Sequence, residues 1–113
     1  MANVFKNVHK RKLPQSSATA VYTVPAATTT VLLGMSICNI GATSETVDAY
    51  FSNAGSATDA ELAYLVKDLD VPANATIEIF AGQKYVLEAT DILYLEASTA
   101  DKLDIFIGIM EVT

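Results

Sequence analysis

The chain of 113 residues, 51% hydrophobic and 18% charged with a formal net charge of −6, is long enough for one domain with its own core and too short for two. Its one cysteine, Cys38, rules out an intramolecular disulfide and gives no sign of an oxidising compartment. No run approaches the eighteen or so apolar residues of a membrane-crossing helix. The stretch LPQSSATAVYTVPAA is too polar and too broken by proline for the apolar part of a signal peptide, so synthesis in the cytoplasm is expected.

The charge is uneven along the chain. Residues 1–14 hold four of the seven Lys and Arg and no Asp or Glu, which leaves three cations against thirteen carboxylates beyond them. The opening segment MANVFKNVHKRKLPQ mixes Lys6, His9, Lys10, Arg11 and Lys12 with the apolar Val4, Phe5 and Val8. This predicts an extended basic arm over residues 1–16, ahead of a domain over 17–113. Those eight residues would bind a partner by packing as well as by charge pairing. Fully extended, sixteen residues reach on the order of 50 Å, enough to cross onto a neighbouring subunit. A solubilising tail and a nucleic-acid tail are the alternatives; the arm is short and has no arginine cluster, which disfavours the second.

Beyond residue 16 the pattern turns to strands. ATAVYTV reads as the first, and TTTVLLGMSIC alternates Val31, Leu33, Met35 and Ile37 against Thr30, Leu32, Gly34 and Ser36. ETVDAYFSN sets Val47, Ala49 and Phe51 against Thr46, Asp48 and Tyr50. DAELAYLVKDL fits either a helix capped by Asp59, with Leu62, Leu65, Val66 and Leu69 on one face, or an alternating strand; its strand neighbours favour the strand. ATIEIF buries Ile77 and Ile79, a short strand KYVL follows, DILYLEAS buries Leu93, Leu95 and Ala97, and KLDIFIGIMEV buries Leu103, Ile105, Ile107 and Ile109. Turn clusters such as PAAT, NIGATS, SNAGSATD, VPANA and STADK separate these segments. The pattern is all-β: one antiparallel β-sandwich, jelly-roll or immunoglobulin-like, of about seven to eight strands with the N-terminal arm appended. A weak echo between YTVPAATTTVLL and LDVPANATIEIF suggests two similar hairpin corners.

The outer faces of these strands carry more apolar residues than a solvated sheet needs. Leu32, Tyr50, Ile92, Tyr94, Phe106 and Met110 fall opposite the core-facing stripes, with Gly108 and Val112 beside them. Contiguous apolar patches mark interaction sites, and each such side chain fully covered contributes roughly 1.5–3 kcal/mol. These six residues are the expected interface of a homo-oligomer, a dimer or trimer.

Chemistry-bearing constellations are lacking, and no catalytic, cofactor-binding or metal-binding residue is assigned. His9 has no partner base, and Cys38 has no positive neighbour in sequence and reads as a small buried hydrophobe. The carboxylate pairs of DAE and KDLD lack the glycine-centred calcium loop and read as solvating charges. With no Trp and no basic–aromatic interleaving on the body, nucleic-acid binding by a strand surface is not expected, nor is a membrane partner.

MANVFKN, VYTVPAATTTVLLGMSICNIG, YLVKDLDVPANATIEIF, KYVLEATDILYLEAS and KLDIFIGIMEVT together resemble small β-sandwich virion structural proteins of tailed bacteriophages, especially those of cyanophages. The resemblance covers most of the chain. It implies a non-enzymatic virion protein, first a capsid decoration or cement protein that self-associates and docks on the shell through its arm. A neck, tail or baseplate component comes second, and a glycan- or receptor-binding module third. The implied partners are further copies and the major capsid protein or other virion proteins, and the implied location is the virion. No cofactor is implied, and DAELAYLVKDL becomes a strand.

Overall fold

In the computed structural model, residues 2–14, 19–53, 62–80 and 82–113 are described. They form nine strands: β1 (Asn3–Lys10), β2 (Thr19–Thr23), β3 (Thr29–Asn39), β4 (Glu45–Ser52), β5 (Leu62–Val71), β6 (Thr76–Glu78), β7 (Tyr85–Leu87), β8 (Ile92–Ala97) and β9 (Leu103–Val112). DAELAYLVKDL is thus a strand from Leu62 onward, and the Asp59 cap of the helical alternative lies outside the described residues.

Every pairing is antiparallel. β1 pairs with β9, β2 with β8, β3 with β6 and β7, and β4 with β5. The chain is therefore one long ribbon that doubles back after β4. The ribbon is rolled, so that β9 also meets β3 and β8 also meets β4. The outcome is two sheets, β1-β9-β3-β6 with β7 on the same side of β3, and β2-β8-β4-β5. This is the jelly-roll member of the two sandwich types that the strand spacing allows.

The core lies between the sheets, with Ile105, Ile107 and Ile109 of β9 and Met35 and Ile37 of β3 facing Val47 and Ala49 of β4 and Leu93 and Leu95 of β8. Two of the four β3 residues expected inward, Val31 and Leu33, are only half-buried, Leu33 being the residue at the irregularity. A bulge between Leu32 and Gly34 slips the β3 register, so that Leu32 pairs with Ile109 and is fully buried, while Val31 pairs with Met110 on the outer face. Leu32 is a core residue and not an interface residue.

The sequence echo has a structural counterpart, although not as hairpins. Val24-Pro25-Ala26-Ala27 carries the chain from β2 to β3, and Val71-Pro72-Ala73-Asn74 carries it from β5 to β6. Both are crossings from one sheet to the other. Ala27 and Asn74 hold matching left-handed φ angles of 56° and 57°, and the buried Val24 and Val71 anchor the two corners. Rolling a ribbon requires such a corner on each of its arms, which accounts for the repeat of Val-Pro-Ala.

The segment expected to leave the body is strand β1 instead. All eight of its residues pair with β9, from Asn3 opposite Val112 to Lys10 opposite Ile105. The alternation of Val4, Lys6, Val8 and Lys10 with Phe5, Asn7 and His9 is itself a strand pattern, and the exposed edge of β9 offers it hydrogen bonds. His9 is accordingly a strand residue and not part of a loose tail. Leu13 closes the segment: its N–H donates to the Leu103 carbonyl, and its side chain is buried in the core. The boundary at residue 16 falls outside the described residues.

Candidate functional site: the outer face of a glycine-notched sheet

Two outer faces result from this roll, and they differ in chemistry. On the β2-β8-β4-β5 sheet, Tyr50 pairs with Tyr94 on one side and Tyr64 on the other. Their rings lie 5.7 Å and 5.0 Å apart, and the Lys67 ammonium sits 5.0 Å from the Tyr64 ring centre. Tyr50 and Tyr94 keep 4% and 8% of their surface exposed. The Tyr50 hydroxyl donates to Glu96 at 3.1 Å, and burial followed by that carboxylate pushes its pKa up. Beside the tyrosines lies a shallow hollow of about 190 Å³ lined by Thr46, Asp48, Asp68, Glu96, Ala97 and Ser98. Asp48 accepts the Asp68 backbone N–H at 2.6 Å there. Among the described residues, no group of three or more His, Cys, Asp or Glu is disposed to hold a metal ion.

The other sheet presents rows that run across its strands. Phe5 pairs with Met110, Met110 with Val31, and Val31 with Val86, an apolar row spanning β1, β9, β3 and β7. Phe5 and Val86 remain 72% and 62% exposed. Two residues further along, Asn7, Gly108 and Gly34 form the next row. His9, Phe106, Ser36 and Glu78 form the row after that, with Phe106 52% exposed. The glycine row leaves a notch of about 190 Å³, lined by Gly34, Met35, Ser36, Glu78, Phe106 and Gly108. A β-carbon added at Gly34 or Gly108 would meet nothing within 4 Å, and neither residue has a positive φ. The fold itself does not require glycine at either place, although glycine weakens a strand interior.

Between the sheets, a polar cluster ties β1 to the body. Glu111 is 2.8 Å from the Lys6 ammonium and accepts the Tyr22 hydroxyl at 2.6 Å. Thr30 donates to the Tyr22 oxygen at 2.7 Å. Burial and the Glu111 carboxylate push the Tyr22 pKa up to about 12, whereas Lys6 and then Tyr22 hold Glu111 below its ordinary value. β1, β9, β3 and β2 each contribute one of these side chains. At the opposite end, Asn39 donates to the Thr43 and Val71 carbonyls and accepts the Gly41 N–H, closing the turn after β3.

The residues singled out from sequence scatter over this framework. Phe106 and Met110 share the notched face, Tyr50 and Tyr94 lie on the opposite sheet with Ile92 half-buried, and Leu32 is internal. Of the basic segment, Phe5 and His9 join the notched face. Val4, Lys6, Val8 and Lys10 turn toward the inter-sheet side, and Arg11 and Lys12 are exposed beyond the strand. Cys38 is a half-buried residue of the outer row that contains Asp104 and Thr76, not a core hydrophobe. Sequence reading missed Val31, Val86 and the two-glycine notch. The facing of Gly34 and Gly108 was the available signal, but it needs the β3–β9 register to be seen.

No family model matches the chain, and no curated protein matches it. Among solved structures, it is similar to a chain from a structure described as Bacillus endospore appendages that form a novel family of disulfide-linked pili. The TM-score is 0.55 at 13% identity, over 98% of this chain and 88% of that one. This likeness establishes the sandwich fold. It also corrects the expectation of a phage capsid decoration protein, with neck, tail and glycan-binding alternatives: the matching fold belongs to a bacterial appendage and not to a virion, and capsid proteins are withdrawn as partners.

Proposed function

We propose that this chain is a non-enzymatic structural subunit that self-associates into a pilus-type appendage. The observation that carries the reading is the unbroken row Phe5–Met110–Val31–Val86 on the outer side of four strands, exposed at Phe5 and Val86 and half-buried between them, on a sheet whose other side already packs the core. A sheet face of this kind is an interaction surface. The fold shared with a pilus subunit over nearly the whole chain gives that surface its setting.

Disulfide linkage does not carry over to these residues. Cys38 can bond to one further thiol and no more, so a covalent chain cannot run from copy to copy through one cysteine each. Cohesion here rests on packing between copies. Negative-stain microscopy of the purified protein at increasing concentration tests the reading: ordered fibres that persist in reducing agent support it, and particles of single-copy size at every concentration contradict it.

A further inference from the structure

The notched face is complementary to itself. A twofold axis lying in the plane of contact, parallel to the strands and between β9 and β3, keeps each row at its own level and reverses its order. In the apolar row, Phe5 then lies over a second copy's Val86, and Met110 over its Val31. In the parallel row, His9 lies over the second copy's Glu78, and Phe106 over its Ser36, beside the glycine notch.

We propose that a second copy of this chain docks face to face on this sheet about that axis, each Phe106 ring entering the Gly34–Gly108 notch of the other. This rests on the self-association reading and names one contact within it, a pairing that closes at two copies, so that a fibre grows only where a second surface joins the pairs. Three observations argue for the occupant. First, reversal sets the imidazole edge of β1 against the carboxylate edge of β6, and no row brings two carboxylates together: Asp104 falls opposite Cys38. Second, the notch of about 190 Å³ has an exposed phenyl ring beside it, so each copy carries both the projection and the hollow. Third, β1, β9 and β3, eight to eleven residues long, with the short β6 and β7 sharing the fourth place, stand about 4.8 Å apart and present roughly 550 Å² in projection. That is near the ~800 Å² per partner of specific complexes. Packed sheets stand about 10 Å apart with interdigitated side chains, which gives the ring room to lean into the hollow. The two glycines, which the fold itself does not require, are explained by the approach of the second copy.

The test uses the whole chain. Gly108→Val fills the hollow with a strand-favouring side chain that meets nothing in its own subunit. Its unfolding midpoint should equal or exceed that of the native chain, while sedimentation should report association weakened at least tenfold. Unchanged association overturns the proposal. A second measurement separates it from the broader reading. In a Cys38→Ser background, His9→Cys copies are mixed with Glu78→Cys copies and treated with a short bis-maleimide, since facing sheets are too far apart for a direct disulfide. Efficient mixed crosslinks, with few between two His9→Cys copies, support the twofold pairing. Association without mixed crosslinks overturns the pairing and leaves self-association standing. Failure of the native chain to associate overturns both.

Discussion

The two outer faces of this jelly roll are built from the same strand alternation and end in opposite states. On the β2-β8-β4-β5 sheet, the large side chains are tyrosines at directly facing positions, so their rings cover one another and the Tyr50 hydroxyl ends on Glu96. On the β1-β9-β3 side, the large side chains are Phe5, Phe106 and Val86, with no polar tips, and two glycines stand where a covering side chain would be. One face covers Tyr50 and Tyr94 and leaves only Tyr64 open, at 46%; the other leaves Phe5, Val86 and Phe106 each more than half exposed, for a neighbour to cover. Apolar content alone does not mark an interface; apolar side chains without intramolecular cover do.

This contrast can be broken at its strongest point first. Tyr50→Ala should destabilise the single subunit by about 3 kcal/mol, the range for a buried aromatic truncated to alanine, and leave association unchanged. Urea unfolding together with sedimentation reads both. If association falls as well, the tyrosine face belongs to the contact and the division of labour is wrong.

The seam joining the faces gives the next effect. Tyr22→Phe removes the hydroxyl that donates to Glu111 and should cost roughly 1.5–3 kcal/mol, as for hydrogen bonds to charged groups. The same carboxylate sets a pH dependence. Glu111 is held below its ordinary pKa of 4.5 by Lys6 and Tyr22, and Glu45 is held down by Thr99, with Ser98 and Thr43 assisting. Both groups bind protons more readily unfolded than folded. Their contribution is complete above the ordinary carboxylate range and is lost as pH falls through their folded pKa values. Thermal unfolding followed downward from pH 6 should show the midpoint dropping below about pH 4.5. Glu111→Gln should flatten that drop, and an undiminished slope in the variant would assign it elsewhere.

The smallest effect on the subunit belongs to the notched face. Phe5→Ser should change subunit stability by no more than about 0.5 kcal/mol, as at other exposed positions, while lowering association measurably. A destabilisation comparable to that of Tyr50→Ala would mean that Phe5 packs within its own subunit.

Much of the fold was legible in the residues. The stripe of β9 follows a period of two without interruption; in β4 and β8 the same alternation holds at Val47, Ala49, Leu93, Leu95 and Ala97, but the outward Tyr50 and Tyr94 are buried as well. β3 departs because a bulge lies midway along it, and one inserted residue moves every later side chain to the other face. That slip sends Leu32 inward and Val31 outward, and an alternation count made on one strand cannot detect it. β1 was legible as extended chain but not as sheet, because its charge suggested departure from an acidic body. The β9 edge and the buried Glu111 that hold it lie about a hundred residues away. The candidate face follows the same logic. Phe106 and Met110 can be placed from their own strand, whereas the notch exists only where two glycines from distant strands meet in register.

Sedimentation velocity of the native chain and of Phe106→Asp across a range of concentrations tests the central claim most directly. The native chain should associate as its concentration rises, and the variant should stay a folded single copy throughout, because its carboxylate cannot enter an apolar contact without a large desolvation cost. A native chain that sediments as a single copy at the highest concentration reached, or a variant that associates as the native chain does, would contradict it.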